Sequence, residues 1–521
     1  MSTRSKLTAT LLIVAQLTLY GQTTAAAVNQ YVSRNAPLDL RSSDITGQAS
    51  PVENRAADDN SREMHLPEIG DPSGTLLSTH EEIELGAAFF RSLHGQIHIN
   101  EDPETTDYIQ RIGQKLSANS ADPEHAYHFF VVMEPNINAF AGPGGYIGVN
   151  SGLILTTEAE SELASVLAHE IAHVTQRHLY QAYQAASRLS LPMAAAMLAG
   201  ILIGAKTGNA QAGEAAIIAA QAANQQFQIN FTRDNEAEAD RVGMQNLSKS
   251  EFDPRAMPVF FERMQQATRF AGNALPEFLM THPVTVSRIS DTRGRAEKYA
   301  YRQYEDSFVY QIIKAKLRVL SATDPFEVEK YFRTTNNHGT LQQQDVTRYG
   351  LALSLQAQKK YDEARPLLQK LVIQHPDQPH FVNALARLET DAHRYPEALK
   401  HYDMALERFP ENRGIVFNYV RLLLLMQKPL EARNLLNAHS ATLAPSTEFY
   451  ELLAECYGEL HNDAESHRYL AEYYYLNGQT HTAIKQMKLA RQHAGNNFYI
   501  NAVIDERLQA LQKEEQESKE K

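Results

Sequence analysis

The sequence predicts a mainly α protein in which an α+β domain with a small sheet precedes an α-solenoid. Three observations predict it. Apolar residues recur at helical spacing over most of the chain. One segment, from His128 to Val149, carries strand-like apolar runs around a glycine-rich bend. The last third repeats with a period of about 34 residues. A length of 521 residues leaves room for two to four domains of about 150 residues each. The net charge of −13 sets the chain against nucleic-acid phosphates and anionic lipid, so no nucleic-acid partner is expected.

The stretch 1–27 reads as a signal peptide. Arg4 and Lys6 give a positive start, Leu7 to Tyr20 an apolar stretch, and Thr23 to Ala27 the small residues a signal peptidase needs. A periplasmic location after cleavage is therefore expected. Residues 28–74 are a polar arm without periodic pattern. The only cysteine, Cys456, allows no internal disulfide and reads as a small buried residue.

Residues 75–300 form the first domain. Ser78 and Glu81 make a capping box at a helix start, and Ile83, Leu85, Phe89 and Phe90 open its apolar stripe. His128 to Met133 is a strand candidate, and Tyr146, Ile147 and Val149 follow a Gly-Pro-Gly-Gly bend as a second. A further helix is expected from Thr157, with Glu160 completing its capping box. The uncharged run Leu189 to Ala205 falls just short of the ~20 residues a membrane span needs. It is either an apolar hairpin packed on the core or a lip that touches membrane or unfolded substrate.

Connecting helices over residues 301–344 lead to a repeat domain over 345–511 and a charged tail over 512–521. "YDEARPLLQKLVIQHP" and "YPEALKHYDMALERFP" place Ala364 and Ala398, and likewise Pro376 and Pro410, one period apart, and Ala432 follows at the next step. This is the tetratricopeptide period, with a small residue where two helices cross. Ala464 arrives two positions early for the step after Ala432, so the later units read as irregular.

The chemistry sits in "VLAHEIAHVTQRH". His169 and His173 are four apart on a predicted helix, so both rings project from one face, with Glu170 beside them. Two imidazoles so placed bind Zn²⁺, and the glutamate takes a proton from the attacking water. His178, five residues beyond His173, points about 140° away on the same helix and reads as a surface histidine. The third ligand must come from elsewhere. "NEAEAD" supplies Glu236, with Asp240 four residues on and on the same face, placed to accept the far N–H of a ligating histidine. His282, in "THPVTVSR", has two readings: it stabilises an oxyanion, or it takes zinc's open position and switches the site off.

"HEIAH" followed by "EAEAD" resembles the HExxH…ExxxD pattern of the gluzincin metallopeptidases, a group that includes the CAAX prenyl proteases. "NAFAGPGGYIGVNSGL" and the His-Pro segment resemble the same group, and the likeness runs from about Leu76 into the repeats. It implies one Zn²⁺ per chain held by His169, His173 and Glu236, with Glu170 as acid/base. Lacking the several spans of its membrane-embedded relatives, the chain is not expected to take prenyl peptides. The leader, soluble core and repeats together are similar to a periplasmic branch of the group. That likeness implies stalled or misassembled outer-membrane proteins as substrates and docking of the repeats to the β-barrel assembly machinery. Gly145, Tyr146, Ile147, Gly148 and Val149 are expected to pair with an extended substrate. The rival reading is a chaperone or scaffold with a latent protease site.

Overall fold

The computed structural model describes residues 78–179, 189–202, 233–270, 277–335, 339–443 and 445–518. The expected signal peptide, the polar arm and the end of the apolar run (203–205) lie outside them.

Helix α1 (Thr79–His94) starts at the expected Ser78/Glu81 capping box, and α2 (Pro103–Ser117) at Asp102. Three strands follow: β1 (His128–Val132), β2 (Ala139–Ala141) and β3 (Tyr146–Asn150). Their order is β1-β3-β2, with β1 parallel and β2 antiparallel to β3. The bend before β3 needs glycine: Gly145 has φ 72°, and a Cβ there would lie 2.2 Å from the Ala126 carbonyl oxygen.

The pleat sends alternate residues to opposite faces. Phe129, Val131, Ile147 and Val149 join one core with residues of α2 and α4 (Glu160–Thr175), while Phe130, Val132 and Phe140 join another with α1 and α5 (Leu191–Leu202). A short α3 (Ser151–Thr156) links β3 to α4. The described part of the apolar run is thus a wall of the sheet's back face, with Ala194, Ala195, Leu198 and Ala199 buried against α1. No helix among the described residues is long and apolar enough to cross a membrane.

α4 starts three residues later than expected. The Thr157 hydroxyl instead bonds the Tyr310 hydroxyl at 2.9 Å, and the Glu160 carboxylate takes Ser307 N and Oγ at 2.9 and 2.8 Å. Asp306 Oδ1 accepts from Glu160 N at 2.6 Å, so the helix is capped from a distant segment rather than by its own neighbours.

Four helices complete the first domain: α6 (Arg233–Lys249), α7 (Ala256–Phe270), α8 (Glu277–Thr281) and α9 (Val286–Ala296). Helices α10 (Phe308–Leu320) and α11 (Pro325–Thr335) lead into the array. Its hairpins are α12 (Leu341–Ala357) with α13 (Tyr361–Gln374), α14 (Pro379–Asp391) with α15 (Tyr395–Arg408), and α16 (Arg413–Leu425) with α17 (Pro429–Ala438). After the short α18 (Ser440–Leu443), α19 (Thr447–Glu459) pairs with α20 (Asp463–Leu476), and α21 (Thr480–His493) and α22 (Phe498–Glu517) close the chain.

The array is more regular than its alanines suggest. Lys359, His393, Gln427 and His461 all have left-handed φ of 57–62° and recur without a slip at the tetratricopeptide period. Each lies at the turn of a hairpin, where an amide bonds the carbonyl five residues back, as Lys360 N does to Leu355 O at 2.9 Å. In the fourth unit Ser466, one full period beyond Ala432, is the buried small residue at the expected step. The apparent irregularity came from following alanine instead of side-chain size.

Among the described residues, α10 and the array meet α2, and the C-terminal helices meet α1. Lys316 Nζ, buried, lies 2.5 Å from Asp102 Oδ1 and 2.6 Å from Glu104 Oε2, and Asn383 donates to Glu104 at 2.8 Å. Near the C-terminus, Arg91 pairs with Glu514 at 3.0 Å, and its guanidinium lies 4.3 Å from the Tyr475 ring centre.

Candidate metal centre

α4 carries His169 and His173 one turn apart, and α6 runs against it, held close at Gly243, where a Cβ would come within 3.2 Å of the His169 backbone nitrogen. That approach places Glu236 opposite both rings. His169 Nε2 and His173 Nε2 are 3.0 Å apart, and Glu236 reaches them at 3.5 Å (Oε2) and 3.4 Å (Oε1). His282, just past α8, enters the same space: its Nδ1 is 2.9 Å from Glu236 Oε1 and 3.4 Å from His169 Nε2. The His282 N–H bonds Phe278 O at 2.8 Å, and its ring stacks on Phe278 at 5.0 Å between centres.

These donors fit a tetrahedral cation. Ligand atoms about 2.0–2.1 Å from a common centre stand about 3.3–3.4 Å from one another in a tetrahedron. The four donor atoms all lie within 4.8 Å of each other and all four residues are buried. The carboxylates of Glu236 and Asp240 draw positive charge into this cluster. Burial opposes charge on His169, yet Asp240 and Glu236 outweigh it and push the ring up to about 9. Burial holds His173 well below the ordinary histidine range, which leaves it in the basic form a ligand needs. Burial alone would raise the Glu236 carboxyl, but His282, His169 and His173 hold it well below the usual range.

Glu170 lies beside the cluster, fully buried, with Oε1 3.6 Å from His282 Nε2. Burial raises its carboxyl, opposed by His282 and His169. A carboxylate with a raised pKa accepts a proton readily near neutral pH. Asp240 stands behind His169, its Oδ1 3.0 Å from Nδ1.

Two residues play parts that sequence reasoning did not assign. Arg288 grips Asp240 through Nε and Nη2 at 2.8 and 2.7 Å, meets Glu236 Oε2 at 2.5 Å and donates to the Pro283 carbonyl at 3.1 Å. Only its position six residues after His282 hinted at this. His178 is no surface histidine: its side chain is 5% exposed and its Nδ1 lies 2.9 Å from His173 Nδ1. The helical projection failed because α4 ends at Thr175, before His178.

The expected substrate strand also needs correction. Gly145 belongs to the bend, and Tyr146, Ile147, Gly148 and Val149 lie on β3, the central strand, paired on both sides. A strand with both edges taken has no backbone groups left for a substrate. Asn138 O and Gly142 N bond back to β3, so by alternation the amides and carbonyls of Ala139 and Ala141 on β2 turn outward. The Ala141 backbone N–H lowers the Glu170 carboxyl, which puts that edge beside the candidate base.

Comparison with known proteins agrees with this geometry. The profile of peptidase family M48 matches residues 103–296, and tetratricopeptide-repeat profiles match 349–413 and 389–456. A putative β-barrel assembly-enhancing protease of Vibrio cholerae is 35% identical over 449 residues, covering 86% of this chain and 92% of that protein. The chain belongs to the β-barrel assembly-enhancing proteases of peptidase family M48. The Escherichia coli K12 member of this group is 31% identical over 480 residues, 92% of this chain and 96% of its own length. The mitochondrial metalloendopeptidase OMA1 of Schizosaccharomyces pombe is 31% identical over 185 residues, 36% of this chain and 51% of its own. This family member is therefore a metallopeptidase with a C-terminal repeat array.

Proposed function

We propose that the chain is a periplasmic zinc endopeptidase that cuts stalled or misassembled outer-membrane proteins, with residues 75–300 as its peptidase domain. The convergence of four buried donor atoms beside Glu170 carries this reading. His169, His173 and Glu236 are the residues that would hold one Zn²⁺. Such an ion supplies Lewis acidity, activating a water and polarising the scissile carbonyl. Glu170 takes the proton of the attacking water and passes it to the leaving amine. Asp240 fixes the proton on His169 Nδ1, so that Nε2 keeps its lone pair for the metal.

An extended segment of substrate pairs with the outward amide and carbonyl of Ala139 and the outward carbonyl of Ala141 on β2, which makes recognition depend on main chain rather than on side-chain identity. A compact protein has no free strand to offer there, so unfolded chains are the natural substrates. The repeats present a curved surface for the β-barrel assembly machinery, as the names of the relatives suggest.

His282 favours one of its two readings. With Nδ1 2.9 Å from Glu236 Oε1 and 3.4 Å from His169 Nε2, it stands at the fourth corner of the donor set, where water or substrate must enter. The protein described is then a latent form, and the α8–α9 loop must swing away for cleavage. Latency also leaves room for a chaperone-like role of the array.

The deciding experiment measures bound zinc and cleavage of an unfolded protein such as casein, for wild type and Glu170→Gln. One zinc in both and cleavage only in the wild type support the proposal. No zinc in the wild type ends the site assignment. A variant that keeps full cellular function makes the scaffold role the main one.

A further inference from the structure

We propose that His178 is a positioning residue that fixes the tautomer of His173, as the middle member of a Glu238–His178–His173 relay. The inference rests on the reading of His173 as a metal ligand.

The chain is built to bring His178 back. α4 ends at Thr175, and Arg177 takes a left-handed φ of 52°. His178 N then bonds His173 O at 3.0 Å, the five-residue closure that reverses a helix end. The turn lays the His178 ring edge-on to His173, with centres 4.9 Å apart. Their Nδ1 atoms face each other at 2.9 Å.

Two ring nitrogens at hydrogen-bond distance share one proton, so one ring donates and the other accepts. His173 turns Nε2 to the donor cluster, 3.0 Å from His169 Nε2 and 3.4 Å from Glu236 Oε1. A metal-binding nitrogen carries no proton, so the proton of His173 must sit on Nδ1 and be donated to His178. His178 Nδ1 is then the acceptor, and its own proton must be on Nε2. That nitrogen lies 3.6 Å from Glu238 Oε2, and Glu238 is in turn held by Arg241 at 3.1 Å. The two candidate ligands are thus backed differently: His169 by the carboxylate of Asp240, His173 by a neutral imidazole.

The test uses the full-length chain. Zinc affinity is measured by competition with a chromophoric chelator for wild type, His178→Leu, His178→Gln and His173→Ala, and the Co²⁺-loaded proteins are compared by visible absorption. Leucine fills the space without an acceptor, and glutamine returns an acceptor oxygen. His178→Leu is expected to weaken zinc by about 10–100-fold and shift the cobalt bands, with His178→Gln restoring most of both. Wild-type affinity in His178→Leu overturns the relay, as does a glutamine variant as weak as the leucine one. Nitrogen-15 spectra of the zinc-loaded wild type give a reading that needs no variant. A proton on His178 Nε2 supports the relay, and one on its Nδ1 overturns it. His173→Ala separates the two levels: unchanged zinc binding there defeats the ligand assignment itself.

Discussion

Arg288 holds the Asp240 carboxylate in a two-point grip, with Nε to Oδ2 at 2.8 Å and Nη2 to Oδ1 at 2.7 Å, both side chains buried. The same guanidinium reaches Glu236 and the carbonyl next to His282, so one side chain ties α6 to the α8–α9 loop. Lysine cannot make this fork. Arg288→Lys is expected to cost about 2–5 kcal/mol in the metal-free protein, because two buried carboxylates lose their counter-ion geometry. Added zinc should recover part of the loss. Calorimetry with and without zinc checks this, and an unchanged melting temperature would place the grip outside the stability of the fold.

His282→Ala opens the fourth corner of the donor set. Cleavage of unfolded casein should rise at constant zinc content, and the rise should be absent in the Glu170→Gln background. A fall instead would return His282 to the oxyanion role.

Lys316 is buried between Asp102 and Glu104 where the array meets α2. Lys316→Met strands both carboxylates and is expected to cost about 3–5 kcal/mol. Adding Asp102→Asn and Glu104→Gln should recover most of it. Thermal unfolding of the single and triple variants tests the pairing.

Gly478 has φ 70°, and a Cβ there would lie 2.3 Å from the Arg91 carbonyl oxygen. Gly478→Ala should therefore pry the C-terminal helices off α1 and break the Arg91–Glu514 pair. Faster hydrogen exchange in α1 and α22, with zinc affinity unchanged, is the expected pattern.

Glu448 tests the array's pH response. Burial pushes its carboxyl up to about 7, against the pull of Arg421. The folded pKa exceeds the unfolded one, so its contribution is whole below about pH 4.5 and is lost as pH rises through about 7. Glu448→Gln should remove this slope, on the order of 3 kcal/mol, leaving the variant relatively more stable at pH 8 than at pH 4.5. Melting temperatures across that range give the comparison, and parallel curves would contradict it.

Much of this protein is legible in its sequence. Spacing alone puts His169 and His173 on one helix face with Glu170 beside them, puts Asp240 with Glu236 on another, and marks the hairpins of the array by their period. These are local relationships, set by the helical repeat and by repetition of the units. The tertiary structure decided the rest. It put β3 at the centre of the sheet and β2 at an edge, because which strand lies central depends on pairing between distant segments. It capped α4 from Asp306, folded His178 back through the left-handed turn at Arg177, and brought His282 and Arg288 to a site formed by helices far apart in the chain. Periodicity fixes the direction of a side chain only while its helix continues; beyond a helix end, or between helices, packing sets which groups meet.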